Sequence, residues 1–444
     1  MTAVRSAAEH PAAGAASSPF PRSWLSWTVW GVAAVFYLSA FYLRNSPAVM
    51  TTELMRDFSI TASQLGQFSA VYFYAYVLMQ IPTGVLVDSW GAKRLLILGA
   101  LFAAIGTFIF GSTTSFTTAA AGRAMVGAAT AVAWVVLLKL ATHWFPSHRF
   151  AMLTGLGLMI GNIGALVAQV PLRLLVEQFG WRPVVMGSAL VVLAIGALAW
   201  ALVRNDPTQR GYASHAPAVL QKTDHLSLWG LLKGFKHVFA YRNTWLIFCA
   251  QGGFVGTMIA FTGLWGPPFL RVRYGLPSTT AAAVCSVMTV CWAVASPIVG
   301  HWSDKIGRRK PIYLTGAISA TIGLAVMFYL PGLPLWLFVV IAGLTSFACG
   351  AVILGFAFAK ESVPVHFLGT ISGAINVGNM IGPTLLQPAI GWTLDKRWSG
   401  EMANGLRVYQ LGDYQAGLAL MVGWLALGSV LIALTRETYC KPSV

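Results

Sequence analysis

The sequence predicts an all-α integral membrane protein of twelve spanning helices, arranged as two pseudo-symmetric bundles of six. Three observations carry this expectation. The 444 residues are 57% hydrophobic and only 9% charged, with a mean hydropathy of +0.70, a composition unlike that of a water-soluble domain. Apolar stretches of about 20 residues recur, the length a helix needs to cross roughly 30 Å of hydrocarbon. A local pattern also returns at a fixed spacing: Gly84, Asp88 and Gly91 recur as Gly300, Asp304 and Gly307, each 216 positions later, and Gly157 recurs as Gly373.

Residues 1–23 are rich in Ala, Ser and Pro and lack an apolar core followed by a cleavage site, so they read as a disordered cytoplasmic tail. The first bundle, 24–204, holds spans expected at 24–50, 62–87, 93–113, 116–143, 149–175 and 182–203. A central cytoplasmic loop, 205–242, is polar from Asn205 to Asp224 and then amphipathic from Leu226 to Tyr241. There Lys233 and Lys236 lie among Leu, Trp and Phe, the pattern of an interfacial helix. The second bundle, 243–436, holds spans at 244–270, 278–302, 309–330, 334–359, 367–394 and 412–435, and 437–444 form a second tail. With both termini cytoplasmic, the cytoplasmic segments carry 18 Lys and Arg against 8 outside and 3 within spans, as the positive-inside rule requires.

The net charge of +16 sits in short turns between apolar runs, so it reports topology and argues against a nucleic-acid partner. Cys249, Cys285, Cys291, Cys349 and Cys440 lack metal-ligand spacing, and no metal or other cofactor is expected. His143, His148, His301 and His366 all fall near cytoplasmic ends and offer no convincing proton site. With no P-loop, nucleophile elbow or paired catalytic carboxylates, the chain reads as neither an ATP-driven pump nor an enzyme.

The turn Gly84-Val-Leu-Val-Asp88-Ser-Trp-Gly91-Ala-Lys93-Arg94 and its second copy, Gly300-His-Trp-Ser-Asp304-Lys-Ile-Gly307-Arg308-Arg309-Lys310, fall between consecutive spans of each half. On these two copies the chain resembles the major facilitator superfamily of secondary transporters. The resemblance implies a conformational latch at the two turns, a role it carries to Asp88, Arg94, Asp304 and Arg308. Physically, an aspartate at a helix end can pair with a cation or a helix N-terminus in one state and release it in another. Glu361, at the cytoplasmic end of the tenth span, joins this gating set. Gly157, Gly161 and Gly164 in the fifth span, with Gly373, Gly378 and Gly382 in the eleventh, put small residues on helix faces and allow close packing or sliding. The proline that drug/proton antiporters usually carry in the fifth span is absent, which argues against efflux.

Three basic residues fall within spans, Arg44, Arg123 and Lys139, whereas none of the 13 acidic residues lies near the middle of one. A charge at that depth costs on the order of 3 kcal/mol unless it faces protein or water, so Arg44 without an obvious carboxylate partner is a functional candidate. The missing partner is read as the substrate. Tyr37 and Phe41 share its helix face, and Tyr72, Tyr76 and Gln80 form a stripe on the second span. Trp134, Gln251, Trp292 and Asn376 complete the candidate binding set, Trp292 because it lies 216 positions after Tyr76. Tyr42-Leu-Arg44-Asn45 is similar to the first spans of branches that carry organic anions, including anion:cation symporters. The Trp144-Phe145-Pro146 turn, Gln387-Pro388 and Arg436-Glu437-Thr438 resemble amino-acid and nutrient importers. Arg123 opens an Arg-x-x-x-Gly127 pattern with two readings, proton coupling or a structural bond to neighbouring backbone. Lys139 lies about 160 degrees around the helix from it and is expected to snorkel to the cytoplasmic surface.

Together these features predict a monomeric transporter of a bacterial inner membrane, importing a small anionic or zwitterionic, carboxylate-bearing solute by alternating access. Protons or a counter-anion are the candidate coupling partners. A transporter-like solute sensor and a multidrug efflux antiporter are the competing readings.

Overall fold

The computed structural model describes residues 19–216, 236–364, 367–403 and 405–441. The expected N-terminal tail through residue 18, most of the expected interfacial helix with Lys233, His366 and the end of the C-terminal tail lie outside these residues.

The first bundle begins with α1 (Ser23–Asn45), a 3-10 turn Ser46–Val49 and a short helix, α2 (Thr51–Phe58). A capping box between Thr61 and Gln64 starts α3 (Ala62–Trp90). This helix is bent by 57° between Gln80 and Pro82, since proline lacks an amide for the ladder and its ring crowds the preceding turn. α4 (Ala92–Ser112) forms the third span, α5 (Phe116–Thr130) with α6 (Ala133–Trp144) the fourth, α7 (Phe150–Val167) with α8 (Val170–Phe179) the fifth, and α9 (Trp181–Leu202) the sixth. The fourth span breaks where the Thr130 hydroxyl turns back onto the Val126 and Gly127 carbonyls, a bond that competes with the helical ladder.

In the second bundle, α10 (Arg242–Ala260), a π-helical segment Phe261–Trp265 and α11 (Gly266–Tyr274) make the seventh span. α12 (Ser278–Ile306) and α13 (Lys310–Tyr329) follow, then α14 (Leu335–Cys349) with α15 (Val352–Glu361). α16 (Leu368–Arg397) and α17 (Leu411–Ala433) close the fold. A small hairpin between them, β1 (Met402–Ala403) and β2 (Leu406–Arg407), pairs Met402 with Arg407.

Ten helical passes of the described residues are long and apolar enough to cross a membrane, and the bent α3 is an eleventh. The twelfth, α16, has the length but carries Asn379, Thr384 and Gln387 buried along it. It tolerates them because they are buried where the helix packs against α3 and α10. Among the described residues the fourth, fifth, seventh and tenth of the spans expected to be continuous are broken and the second is bent, and a small hairpin interrupts the expected all-α chain.

Within the first bundle α1 lies against α7 and α4 against α9. A side chain on Gly164 would fall on the Leu38 carbonyl, and one on Gly127 on the Tyr72 carbonyl, so these helices meet backbone to backbone. The turns bearing Asp88 and Asp304 lie at one end of the bundles, here termed the motif face. Gly91 and Gly307 in these turns have φ of +83° and +70°, a region that glycine occupies without the strain a side chain would bring.

Candidate functional site

Arg44 sits one residue before the end of α1, and only 6% of it is exposed. Its guanidinium carbon lies 4.4 Å from the Phe41 ring centroid, 5.2 Å from Tyr76 and 5.8 Å from Tyr72. Among the described residues no carboxylate lies within ion-pair distance of it, and its Nε is buried without a hydrogen-bond acceptor. Tyr37 continues the cage, 5.0 Å from Phe41 and 5.1 Å from Trp134, and Tyr72 stacks on Tyr76 at 6.1 Å. On the next helix Gly161 leaves the room that Tyr37 and Phe41 fill, and Gly157 faces Trp134. Ring faces attract a desolvated cation, each by about 2 kcal/mol, but carry no net charge to neutralise it. The cage therefore holds the arginine but leaves it short of a counter-charge.

Arg123 is 1% exposed. Its Nη1 donates to the Leu43 carbonyl at 2.7 Å and its Nη2 to the Arg44 carbonyl at 3.5 Å, so it fastens the end of α1 that carries Arg44. Its guanidinium also lies 5.0 Å from the Tyr72 ring, placing that ring between two cations. The Tyr72 hydroxyl is bonded to Thr130 at 2.7 Å.

Two further candidates meet across the halves: the Asn376 amide donates to Gln80 Oε1 at 3.1 Å, and Tyr76 faces Asn376. Gln251 is instead held inside the second bundle. Its Nε2 donates to the Val352 carbonyl, it abuts Gly355, and its Oε1 has no donor. Trp292 is half-buried, with its indole N–H lacking an acceptor, and no direct contact joins either residue to the Arg44 cage among the described contacts.

At the motif face the aspartates meet cations other than Arg94 and Arg308. Lys139 Nζ binds Asp88 Oδ1 at 2.7 Å and the Val87 carbonyl at 2.9 Å. Lys139 thus ends at that face as a partner, not as a free snorkelling amine, while Arg94 is exposed and makes no ion pair among the described residues. In the second half Arg309 binds Asp304 at 2.6 Å and Glu361 at 2.8 Å. Arg308 is exposed and lies 5.8 Å from the Tyr439 ring. Burial works against the Arg309 charge, but the hydrogen bonds it donates to Glu361 and Asp304 outweigh it and hold the guanidinium more firmly protonated than usual.

Sequence reasoning missed the residues that brace these turns. Asn205 Oδ1 accepts from the Lys93 amide at 2.7 Å, and Glu437 accepts from the Arg309 and Lys310 amides at 3.0 Å each. Both braces come from the segment just after the last span of their half, satisfying orphan amides at a helix start. Thr438 adds a 2.6 Å bond to Glu361.

At the face opposite the motif turns the halves are sealed together. Gln169 donates to the Thr262 carbonyl of the π segment at 2.9 Å. The Ser63 amide donates to Asp395 at 2.8 Å, the Ala62 amide to the Tyr409 hydroxyl at 3.1 Å, and Arg271 to Thr52 at 2.8 Å.

Two six-helix bundles sealed at one face, with an enclosed arginine cage beneath the seal, define a multi-pass membrane transporter. The chain belongs to the Major Facilitator Superfamily, whose family model matches residues 29–387. It is 23% identical over 382 residues to the probable galactarate/D-glucarate transporter GarP of Escherichia coli, covering 80% of this chain and 84% of that one. It is 22% identical over 422 residues to a probable sulfoacetate transporter of Cupriavidus necator, with 89% and 91% covered. A lysosomal dipeptide transporter of Danio rerio is 24% identical over 377 residues, with 81% and 78% covered. Among solved structures, an inward-facing, occupied bacterial homologue of the human lysosomal transporter Spinster superposes with a TM-score of 0.72 at 18% identity, covering 93% of this chain and 97% of that one. The nucleoside transporter NupG gives 0.69 at 14% identity, with 92% and 98% covered. These likenesses to solved structures establish the fold.

Proposed function

We propose that this protein imports a small carboxylate-bearing solute across a bacterial cytoplasmic membrane by alternating access, with the motif face in the cytoplasm. One observation carries the proposal: Arg44 is buried in an aromatic cage without a carboxylate of the protein to balance it. The substrate anion supplies that balance through a charge-assisted, two-pronged bond. Phe41, Tyr37, Tyr72 and Tyr76 enclose it, and Gln80 and Asn376 offer polar groups from the two halves. The names of the relatives support an anion, since galactarate, D-glucarate and sulfoacetate are all acids. The seal opposite the motif face fits an inward-facing state.

Uptake into proteoliposomes tests the assignment. A charge-assisted bond of about 3 kcal/mol corresponds to roughly a hundredfold loss on Arg44→Ala. Arg44→Lys should be impaired as well, because an ammonium cannot form the planar fork. Both variants are expected to insert and remain monodisperse, and normal uptake of the acid by Arg44→Ala would overturn the assignment. Running the assay with an imposed pH gradient, with and without an internal anion, separates proton symport, anion exchange and facilitated diffusion.

A further inference from the structure

A second space lies at the face opposite the motif turns, within the seal between the halves. It is a cavity of about 420 Å³ lined by Thr52 of the first half and by Trp265, Arg271, Arg407, Tyr409 and Tyr414 of the second, within the size range of small-molecule sites. Arg271 has no carboxylate within ion-pair distance among the described residues, and its Nη1 rests on the Thr52 hydroxyl across the seam. Arg407 divides itself between Asp395 at 3.2 Å and the Trp398 ring at 4.2 Å. Asp395 is the residue that takes the Ser63 amide across the seam, and the Tyr409 hydroxyl, which donates to Asp395 at 2.6 Å, takes the Ala62 amide. Trp265, whose indole donates to the Gln387 carbonyl, joins this chamber to the packed interior.

We propose that this chamber is an entry site that captures a small dianion, and that its occupation loosens the seal. This rests on the reading of the protein as an importer of carboxylates. A carboxylate is a stronger acceptor for a guanidinium than the Thr52 hydroxyl, so it draws Arg271 off the opposite half. A second acidic group competes with Asp395 for Arg407, which removes one of the bonds positioning Asp395 against the Ser63 amide. Asp413 is already engaged with Arg397 at 3.8 Å, and residues 61–67 of α3 carry no ionisable side chain. Glu53 and Asp57 of the adjoining α2 are engaged with Arg173 and with Arg56 and Arg182, so of the two guanidiniums that line the chamber only Arg407 has a carboxylate partner among the described residues, Asp395, and a dianion corrects that imbalance. Arg271 is tied directly across the seam and Arg407 is linked to it through Asp395, so filling the site and releasing the halves are coupled.

Calorimetric titration of the full-length protein in nanodiscs with tartrate, a small dianion, tests this, alongside hydrogen exchange of the peptide containing Ala62 and Ser63. Arg44→Ala is expected to keep one tartrate site and to show faster exchange at these amides when tartrate is present. Arg271→Gln should weaken that site at least tenfold and abolish the exchange response, and Arg271→Lys should restore part of both. In uptake, Arg271→Gln should raise KM with little change in kcat. No tartrate binding by Arg44→Ala, or equal binding and response in Arg271→Gln, would overturn the entry site. Normal uptake by Arg44→Ala with the chamber still binding would instead overturn the central assignment alone.

Discussion

At each motif turn an aspartate is held by a cation that the motif does not contain or does not single out. Asp88 is 42% exposed and Lys139 22%, and so accessible a pair contributes about 1 kcal/mol at most. Lys139→Gln is therefore expected to slow uptake by roughly threefold to fivefold, and Arg94→Gln to leave it within error, in the same proteoliposome assay. A loss on Arg94→Gln with none on Lys139→Gln would assign the pairing to Arg94 instead. The contrast marks what could be read from the chain. Arg44 stood out because a lone charge in an apolar run is conspicuous at any position. The partner of Asp88 did not, because Lys139 lies 51 positions away and only the packing of the fourth span beside the second brings the two together. Arg309 and Arg308 are adjacent in the turn before α13, and only the path of that turn sets one between Asp304 and Glu361 while the other faces outward.

Helices of this bundle meet through small residues, and that scale has its own test. Overpacking a close contact costs about 1–3 kcal/mol. Gly164→Val, which drives a side chain into the Leu38 carbonyl, should lower the melting temperature in detergent by several degrees. Gly187→Val, where a Cβ meets nothing within 4 Å, should leave it unchanged. The glycine pattern of the fifth span was visible in the sequence, and the structure gives it a partner in α1. Breaks within elements were not visible. The kink at Pro82 has a local cause, but the π segment Phe261–Trp265 lies where Gln169 and Gln387 reach the seventh span from other helices, so its origin is tertiary. α16 shows the opposite case. Its polar residues lower the hydropathy of a true pass, yet the segment 367–394 was legible as a span and α16 has the length of one.

At the scale of the whole molecule, the repeat fixes where the two halves are alike and the enclosed charges fix where they differ. The turns at Asp88 and Asp304 are braced by chemically different residues, Asn205 and Glu437, drawn from equivalent places. Among the described residues, two guanidiniums facing one tyrosine ring are found in the first half and not in the second. This last feature has an electrical meaning. Each elementary charge carried through the field is worth about 2.3 kcal/mol per 100 mV, and a carrier enclosing two positive charges has a dipole and a valence that its cargo alters. A divalent solute cancels the enclosed charge and a monovalent one halves it. Uptake driven through a potassium diffusion potential should therefore be nearly insensitive to voltage in its loaded step for the first kind of cargo and sensitive for the second, while the return of the empty carrier responds to voltage in both. The membrane potential, applied to one protein, becomes a gauge of the valence of what it carries.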